Sequence, residues 1–188
     1  MKTRTSSKLY ELASRILVFP SAISEPEKLI DLVLEAPWTK NKNTSPHPIY
    51  GHTRFQTTLH IKNGTSYANK ILAELDQVFL ETKEFLNFKP SAPLKIFDFE
   101  ITKYTVGGKI SDHTDDDIVE DEGTYTGIIY LNDSYAGGEL GFTNTSLKIK
   151  PRAGDIIVFP AFYSHYADEV LSGEKYLSIF KTYPEEDD

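Results

Sequence analysis

His113 and Asp115 stand two residues apart, an imidazole and a carboxylate that leave the same face of an extended backbone and can meet on one metal ion. On its own such a pair reads more readily as a surface histidine beside an acidic loop. A second histidine, His165, follows the strand-like run Asp155-Ile-Ile-Val-Phe159-Pro160. Two imidazoles and one carboxylate make the facial triad that holds non-haem Fe(II) and leaves positions open for substrate and oxygen. The chain has no cysteine, which removes disulfides, thiolate nucleophiles, thiolate-bound zinc and iron–sulfur clusters. Any metal therefore has to be held by His, Asp or Glu. Lys175, ten residues after His165, falls in phase with Leu177 and Ile179 on a run of strand character from Lys175 to Tyr183. Period two aims its ammonium at the apolar face, where it either snorkels outward or pairs with a bound carboxylate.

Other chemistry-bearing residues read more plainly. The acidic run from Asp112 to Glu122 fails as a calcium loop, because Asp117 stands where glycine is required and Gly123 where a bidentate glutamate is required. Asp116, Asp117, Glu120, Asp121 and Glu122 form a solvated loop beside the site, suited to repelling anions or attracting a basic peptide. His47, His52 and His60 read as surface or packing residues. Four Asn-x-Ser/Thr matches, at Asn43, Asn63, Asn132 and Asn144, are read as chance because no export signal accompanies them.

The elements that must position these residues follow from composition and pattern. The chain has 188 residues, a formal charge of -8, 39% hydrophobic and 12% aromatic content, enough for one compact domain over 1–188. The acidic balance argues against broad contact with nucleic acid or an anionic membrane. No run approaches a membrane span, and the segment from Leu9 to Phe19 is broken by Glu11, Ser14 and Arg15; a cytoplasmic location is expected. Ser14 to Pro20 is β-prone, and Ser24-Glu25-Pro26-Glu27 offers an N-cap, an early proline and first-turn acids. The helix it starts carries Leu29, Ile30, Val33 and Leu34 and ends at Pro37. A polar, proline-containing loop runs from Trp38 to Pro48, and Phe55 to Ile61 resumes a strand. A second helix, roughly Tyr67 to Phe85, puts Ile71, Leu72, Leu75, Val78, Phe79 and Leu86 on one stripe that needs a sheet to cover. From Leu94 the pattern becomes strands and turns at the spacing of a sandwich or small barrel, with a short acidic tail over 185–188.

In order along the chain come Tyr104-Thr-Val-Gly-Gly-Lys-Ile-Ser-Asp-His113-Thr-Asp115, Ile129-Tyr130-Leu131-Asn132 with Gly137-Gly138-Glu139-Leu140, Pro151 to Pro160, His165, and Gly173-Glu-Lys175-Tyr176. This series resembles the catalytic domain of prolyl 4-hydroxylases, within the Fe(II)- and 2-oxoglutarate-dependent dioxygenases. The likeness covers about eighty residues and is specific in combination; the first half is similar only in plan.

The resemblance implies an α+β fold, a double-stranded β-helix (jelly-roll, cupin-like) over 94–184 with the helices of 1–93 packed on one sheet. It implies that His113, Asp115 and His165 bind Fe(II), and that Lys175 holds the distal carboxylate of 2-oxoglutarate with a hydrogen bond from Tyr130. Tyr104 would line the cosubstrate or substrate wall. Arg54 sits where that family carries a mobile substrate-covering segment, and the loop from Trp38 to Gly51 is long enough to be a lid. The implied reaction is hydroxylation by O2, most readily of a proline in a peptide or protein, coupled to decarboxylation of 2-oxoglutarate to succinate and CO2, with ascorbate as an auxiliary reductant. Three alternatives stay open: a hydroxylase of small molecules or other amino acids within the same superfamily, a nucleic-acid demethylase, which the net charge of -8 and the lack of a basic, aromatic-interleaved stripe disfavour, and a catalytically silent metal-binding β-barrel module.

Overall fold

The computed structural model describes residues 9–34, 37–40, 54–60, 66–87, 98–115 and 124–182. In chain order the elements are β1 (Tyr10–Ala13), β2 (Ile16–Phe19), α1 (Glu27–Asp31), β3 (Thr39–Lys40), β4 (Arg54–His60), α2 (Ser66–Leu86), β5 (Asp98–Tyr104), β6 (Ile110–His113), β7 (Tyr125–Tyr130), β8 (Ala136–Gly137), β9 (Leu140–Phe142), β10 (Leu147–Ile149), β11 (Ile156–Pro160), β12 (His165–Ala167), β13 (Val170–Ser172) and β14 (Lys175–Thr182). An eight-stranded sheet in the order β1-β2-β11-β7-β14-β5-β4-β3 packs on a four-stranded sheet, β10-β9-β12-β6, and β13 pairs with β8. The two facing sheets make the expected double-stranded β-helix. No helix among the described residues is long and apolar enough to cross a membrane.

Strand alternation explains how the large sheet serves two cores at once. On β2, Leu17 and Phe19 belong to one apolar cluster and Ile16 and Val18 to the other; on β11, Ile156 and Val158 part from Ile157 and Phe159 in the same way. Side chains on successive residues leave opposite faces, so strands buried on both sides read as continuous apolar runs. The first cluster lies under the helices. Ile71, Leu75, Val78 and Phe79 of α2 recur at three- and four-residue spacing and pack against Ile101, Ile129, Val158 and Phe180 of the sheet. Each such burial contributes about 1.5–3 kcal/mol relative to exposure. The second cluster fills the space between the sheets and includes Ile128 and Leu177 from the large sheet and Leu140 and Phe142 from the small one.

Gly127 joins the two halves. A side chain there would collide with the ring of Phe180, its partner across β7 and β14. The missing Cβ lets Phe180 lie over the strand and meet Phe79 of α2 edge to face, with ring centroids 5.5 Å apart.

Several local expectations are corrected. The first helix is five residues long, and its N-cap is Pro26, with no capping side chain. Ser24, expected to cap it, instead gives its N–H (3.0 Å) and hydroxyl to the Glu74 carboxylate on α2. With no cap to satisfy the first amides, the helix stays short. Leu29 and Val33 are buried, but the chain turns after Asp31 and Leu34 is exposed. The loop expected from Trp38 contains β3, where Thr39 and Lys40 pair with Gln56 and Phe55. Strands β1, β6, β12 and β13 were not anticipated as such; they are three or four residues long, too short for a period to declare itself.

Candidate active site

The small sheet brings the two histidines together. His165 on β12 and His113 at the end of β6 are direct partners in the antiparallel register, so both rings leave the same face, 4.3 Å apart between centroids. Asp115 follows two residues later, its N–H held by the Ala161 carbonyl at 2.9 Å. Its Oδ1 lies 3.7 Å from His113 Nε2 and its Oδ2 3.6 Å from His165 Nε2. Candidate ligand atoms from all three residues fall within 4.8 Å of one another.

Hydrogen bonds fix which ring nitrogen is free. His113 Nδ1 contacts the Ser111 carbonyl and His165 Nδ1 the Tyr163 carbonyl, each at 2.9 Å. A carbonyl only accepts, so both Nδ1 atoms carry the proton and both rings turn Nε2 inward, the atom that offers a lone pair to a metal ion. Burial also lowers the His165 pKa, keeping that ring neutral. Burial pushes the Asp115 carboxyl up, but the His113 and His165 rings, whenever they are protonated, and the Thr126 hydroxyl outweigh this and hold it at about 2. Two lone pairs and a carboxylate thus converge on one point, an arrangement that repels itself until a cation enters. The carboxylate lies within 3.7 Å of both Nε2 atoms, and the donor set of two nitrogens and one oxygen suits Fe(II).

The surrounding residues hold this geometry. Thr126, buried on β7, donates to Asp115 Oδ2 at 2.7 Å, and Lys181 Nζ donates to the Asp115 carbonyl. Asp112 accepts from the hydroxyls of Ser164 (2.7 Å) and Thr143, tying β6 to the residues around β12. Phe159 packs edge-on to His165, with centroids 4.7 Å apart. Sequence reading missed Thr126 and Asp112, because nothing near them in sequence marks their partners.

Lys175 is 1% exposed, so it does not snorkel. Its Nζ donates to the Gly138 carbonyl at 2.6 Å and lies 5.4 Å from the ring centroids of Tyr104 and Tyr130 and 5.9 Å from that of Tyr135. Burial lowers its pKa to about 7, against the opposing pull of Glu139 and Asp168. Gly138 has φ +68, and a Cβ there would stand 3.2 Å from the lysine stem, so glycine serves both the backbone conformation and the close approach. Tyr104 is the β5 partner of Lys175, and Tyr130 the β7 partner of Leu177. The structure therefore brings Tyr104, Tyr130 and Lys175 together as the sequence suggested, and adds Tyr135.

Thr126 and Tyr130 occupy the same face of β7 four residues apart, about 13 Å along the strand. The imidazole–carboxylate cluster and the lysine cage thus sit toward opposite ends of one interior face. Arg54 stands opposite Tyr104 in the β4–β5 register, and His60 opposite Asp98; their side chains lie outside the described residues, as do His47, His52, most of the loop from Trp38 to Gly51 and the acidic run after Asp115.

The chain is similar to known proteins over this region. The family model of the 2OG-Fe(II) oxygenase superfamily matches residues 99–181, the span that holds every site residue named above. A PKHD-type hydroxylase of Rhizorhabdus wittichii is 31% identical over 163 residues, covering 79% of this chain and 68% of its own. A prolyl-4-hydroxylase of Pseudomonas putida superposes with a TM-score of 0.67 at 17% identity, over 91% of this chain and 94% of its own. A prolyl hydroxylase from Trichoplax adhaerens, in complex with a hypoxia inducible factor oxygen degradation domain peptide fragment, gives 0.67 at 15% identity, over 90% of this chain and 83% of its own.

Proposed function

The chain belongs to the 2OG-Fe(II) oxygenase superfamily, and we propose that it is a peptidyl-proline hydroxylase in which His113, Asp115 and His165 hold Fe(II) and Lys175 anchors 2-oxoglutarate. Fe(II), 2-oxoglutarate and O2 are the reactants of its family, and the bound iron supplies the oxidising chemistry that hydroxylates a C–H bond while 2-oxoglutarate becomes succinate and CO2. The observation that carries the reading is the convergence of two imidazoles and a carboxylate at one end of an interior face whose other end holds a buried, anion-seeking lysine.

Each residue has a distinct task. The carbonyls of Ser111 and Tyr163 keep the two Nε2 lone pairs available, and Thr126 orients the carboxylate. Lys175, with Tyr130 and Tyr104 beside it, binds the distal carboxylate of the cosubstrate and so sets which end of the molecule faces the metal ligands. The aromatic walls exclude water from the reaction. No side chain has to act as a general base.

Peptidyl proline is the preferred substrate because the fold is shared with prolyl hydroxylases, one of them captured with a peptide. The test is incubation with a panel of proline-containing peptides, Fe(II), 2-oxoglutarate and air, followed by mass spectrometry. A gain of one oxygen on proline is expected; 2-oxoglutarate turnover with no modified proline across the panel would reject the proline assignment while leaving the oxygenase.

A further inference from the structure

We propose that Tyr135 is an additional cosubstrate-binding residue, its hydroxyl donating a hydrogen bond to the same distal carboxylate that Lys175 holds. The inference rests on the Lys175 anchor proposed above and extends it to a residue outside the sequence-predicted set.

The observation is an unpaired donor. Among the described residues two buried side-chain oxygens have no hydrogen-bond partner, Tyr135 Oη and Ser178 Oγ. Ser178 is on β14 one residue from Leu177 and two from Tyr176 and Phe180, so it faces the helix side of the sheet. Tyr135 faces the other way. Its ring is one of the three around Lys175 Nζ, and the position a Gly138 Cβ would take is 3.3 Å from the Tyr135 ring edge and 3.2 Å from the Lys175 stem. The ring is fixed from outside as well, since Lys150 lies over it at 5.1 Å and donates to the Tyr135 carbonyl at 2.7 Å.

A tyrosine hydroxyl sealed from water without a partner is costly, and phenylalanine would fill the same space without that cost. The hydroxyl is therefore explained by something that arrives. Burial with Glu139 and Asp133 nearby pushes the Tyr135 pKa up, so the phenol stays protonated and acts as a donor. Lys175 has given one N–H to Gly138 and has others to give. Several donors and, among the described residues, no carboxylate side chain in direct contact call for an acceptor-only group, and a carboxylate, with two oxygens and about four lone-pair sites, is of that kind. Tyr135 thereby raises selectivity for a 2-oxo acid that ends in a second carboxylate.

The test is a ligand-and-residue cycle on the Fe(II)-loaded protein without oxygen, by calorimetry. The ligands are 2-oxoglutarate and 2-oxopentanoate, which carries a methyl in place of the distal carboxylate; the proteins are wild type, Tyr135→Phe and Lys175→Met. Tyr135→Phe is expected to weaken 2-oxoglutarate about tenfold, to leave 2-oxopentanoate unchanged, and to leave the thermal midpoint of the ligand-free protein equal or higher. Equal 2-oxoglutarate affinity in Tyr135→Phe, or equal weakening of both ligands with a lower midpoint, would overturn the inference while the loss in Lys175→Met kept the lysine anchor. A wild type that does not discriminate between the two ligands would overturn the anchor itself.

Discussion

His113 and His165 are direct cross-strand partners, brought ring to ring on one face of the small sheet from positions far apart in the chain. Because side chains alternate with a period of two, a slip of one residue between β6 and β12 would send one ring to the opposite face and dismantle the cluster. The proposed metal site is thus a property of sheet register. Replacing either ring by alanine, or Asp115→Ala, is expected to lower Fe(II) affinity at least about 100-fold while the far-ultraviolet circular dichroism is retained. Stoichiometric Fe(II) binding at wild-type affinity in any of these variants would remove that residue from the ligand set.

Thr126→Val keeps the volume and removes the hydroxyl that donates to Asp115 Oδ2. The carboxylate then loses its orienting partner and part of what keeps it deprotonated. A fall of about 10–100-fold in Fe(II) affinity is expected, read by metal titration. An unchanged affinity would mean that the Ala161 and Lys181 contacts to the Asp115 backbone suffice.

Cosubstrate binding should take up a proton at Lys175. Burial holds the free lysine at about 7, and a bound carboxylate favours the ammonium and raises that value. Below pH 7 the lysine is already charged and binding needs no proton. Above it, the neutral amine must be protonated on binding, so affinity falls as pH rises, by up to about tenfold per pH unit, until the pH passes the raised pKa of the complex. Calorimetry in buffers of different ionisation heat should find uptake approaching one proton at pH 8 and little at pH 6. No uptake at pH 8 would contradict a buried, near-neutral lysine.

Gly127→Ala tests the contact that couples the sheet to α2. Its methyl would displace the Phe180 ring, which packs on Phe79, and a loss of about 1–3 kcal/mol in stability is expected from overpacking. Urea unfolding with an unchanged midpoint would show that the ring moves aside freely.

Much of the candidate site's placement was legible because it resides in residue type and spacing. The His113, Asp115 pair, a second histidine after a strand and a lysine in phase with Leu177 all lie where a single period predicts. The stripe on α2 and the apolar runs of β7, β11 and β14 were legible for the same reason. Thr126, Asp112 and Tyr135 were not, because each acquires its role from a partner on another strand, and a threonine, an aspartate in an acidic run or one tyrosine among 11 carries no local mark. The short first helix had a matching cause. Ser24 offered a good cap by its type, but Glu74, 50 residues away, took both its N–H and its hydroxyl.

The most direct test of the site is succinate formation from 2-oxoglutarate under air with added Fe(II), comparing wild type with His113→Ala and Lys175→Ala. Wild type should produce succinate, more of it when an accepted peptide is present. His113→Ala should produce none, and Lys175→Ala should need a much higher 2-oxoglutarate concentration. Undiminished turnover in His113→Ala, or no turnover by an iron-loaded wild type with any peptide of the panel, would contradict the assignment of this cluster as a working oxygenase centre.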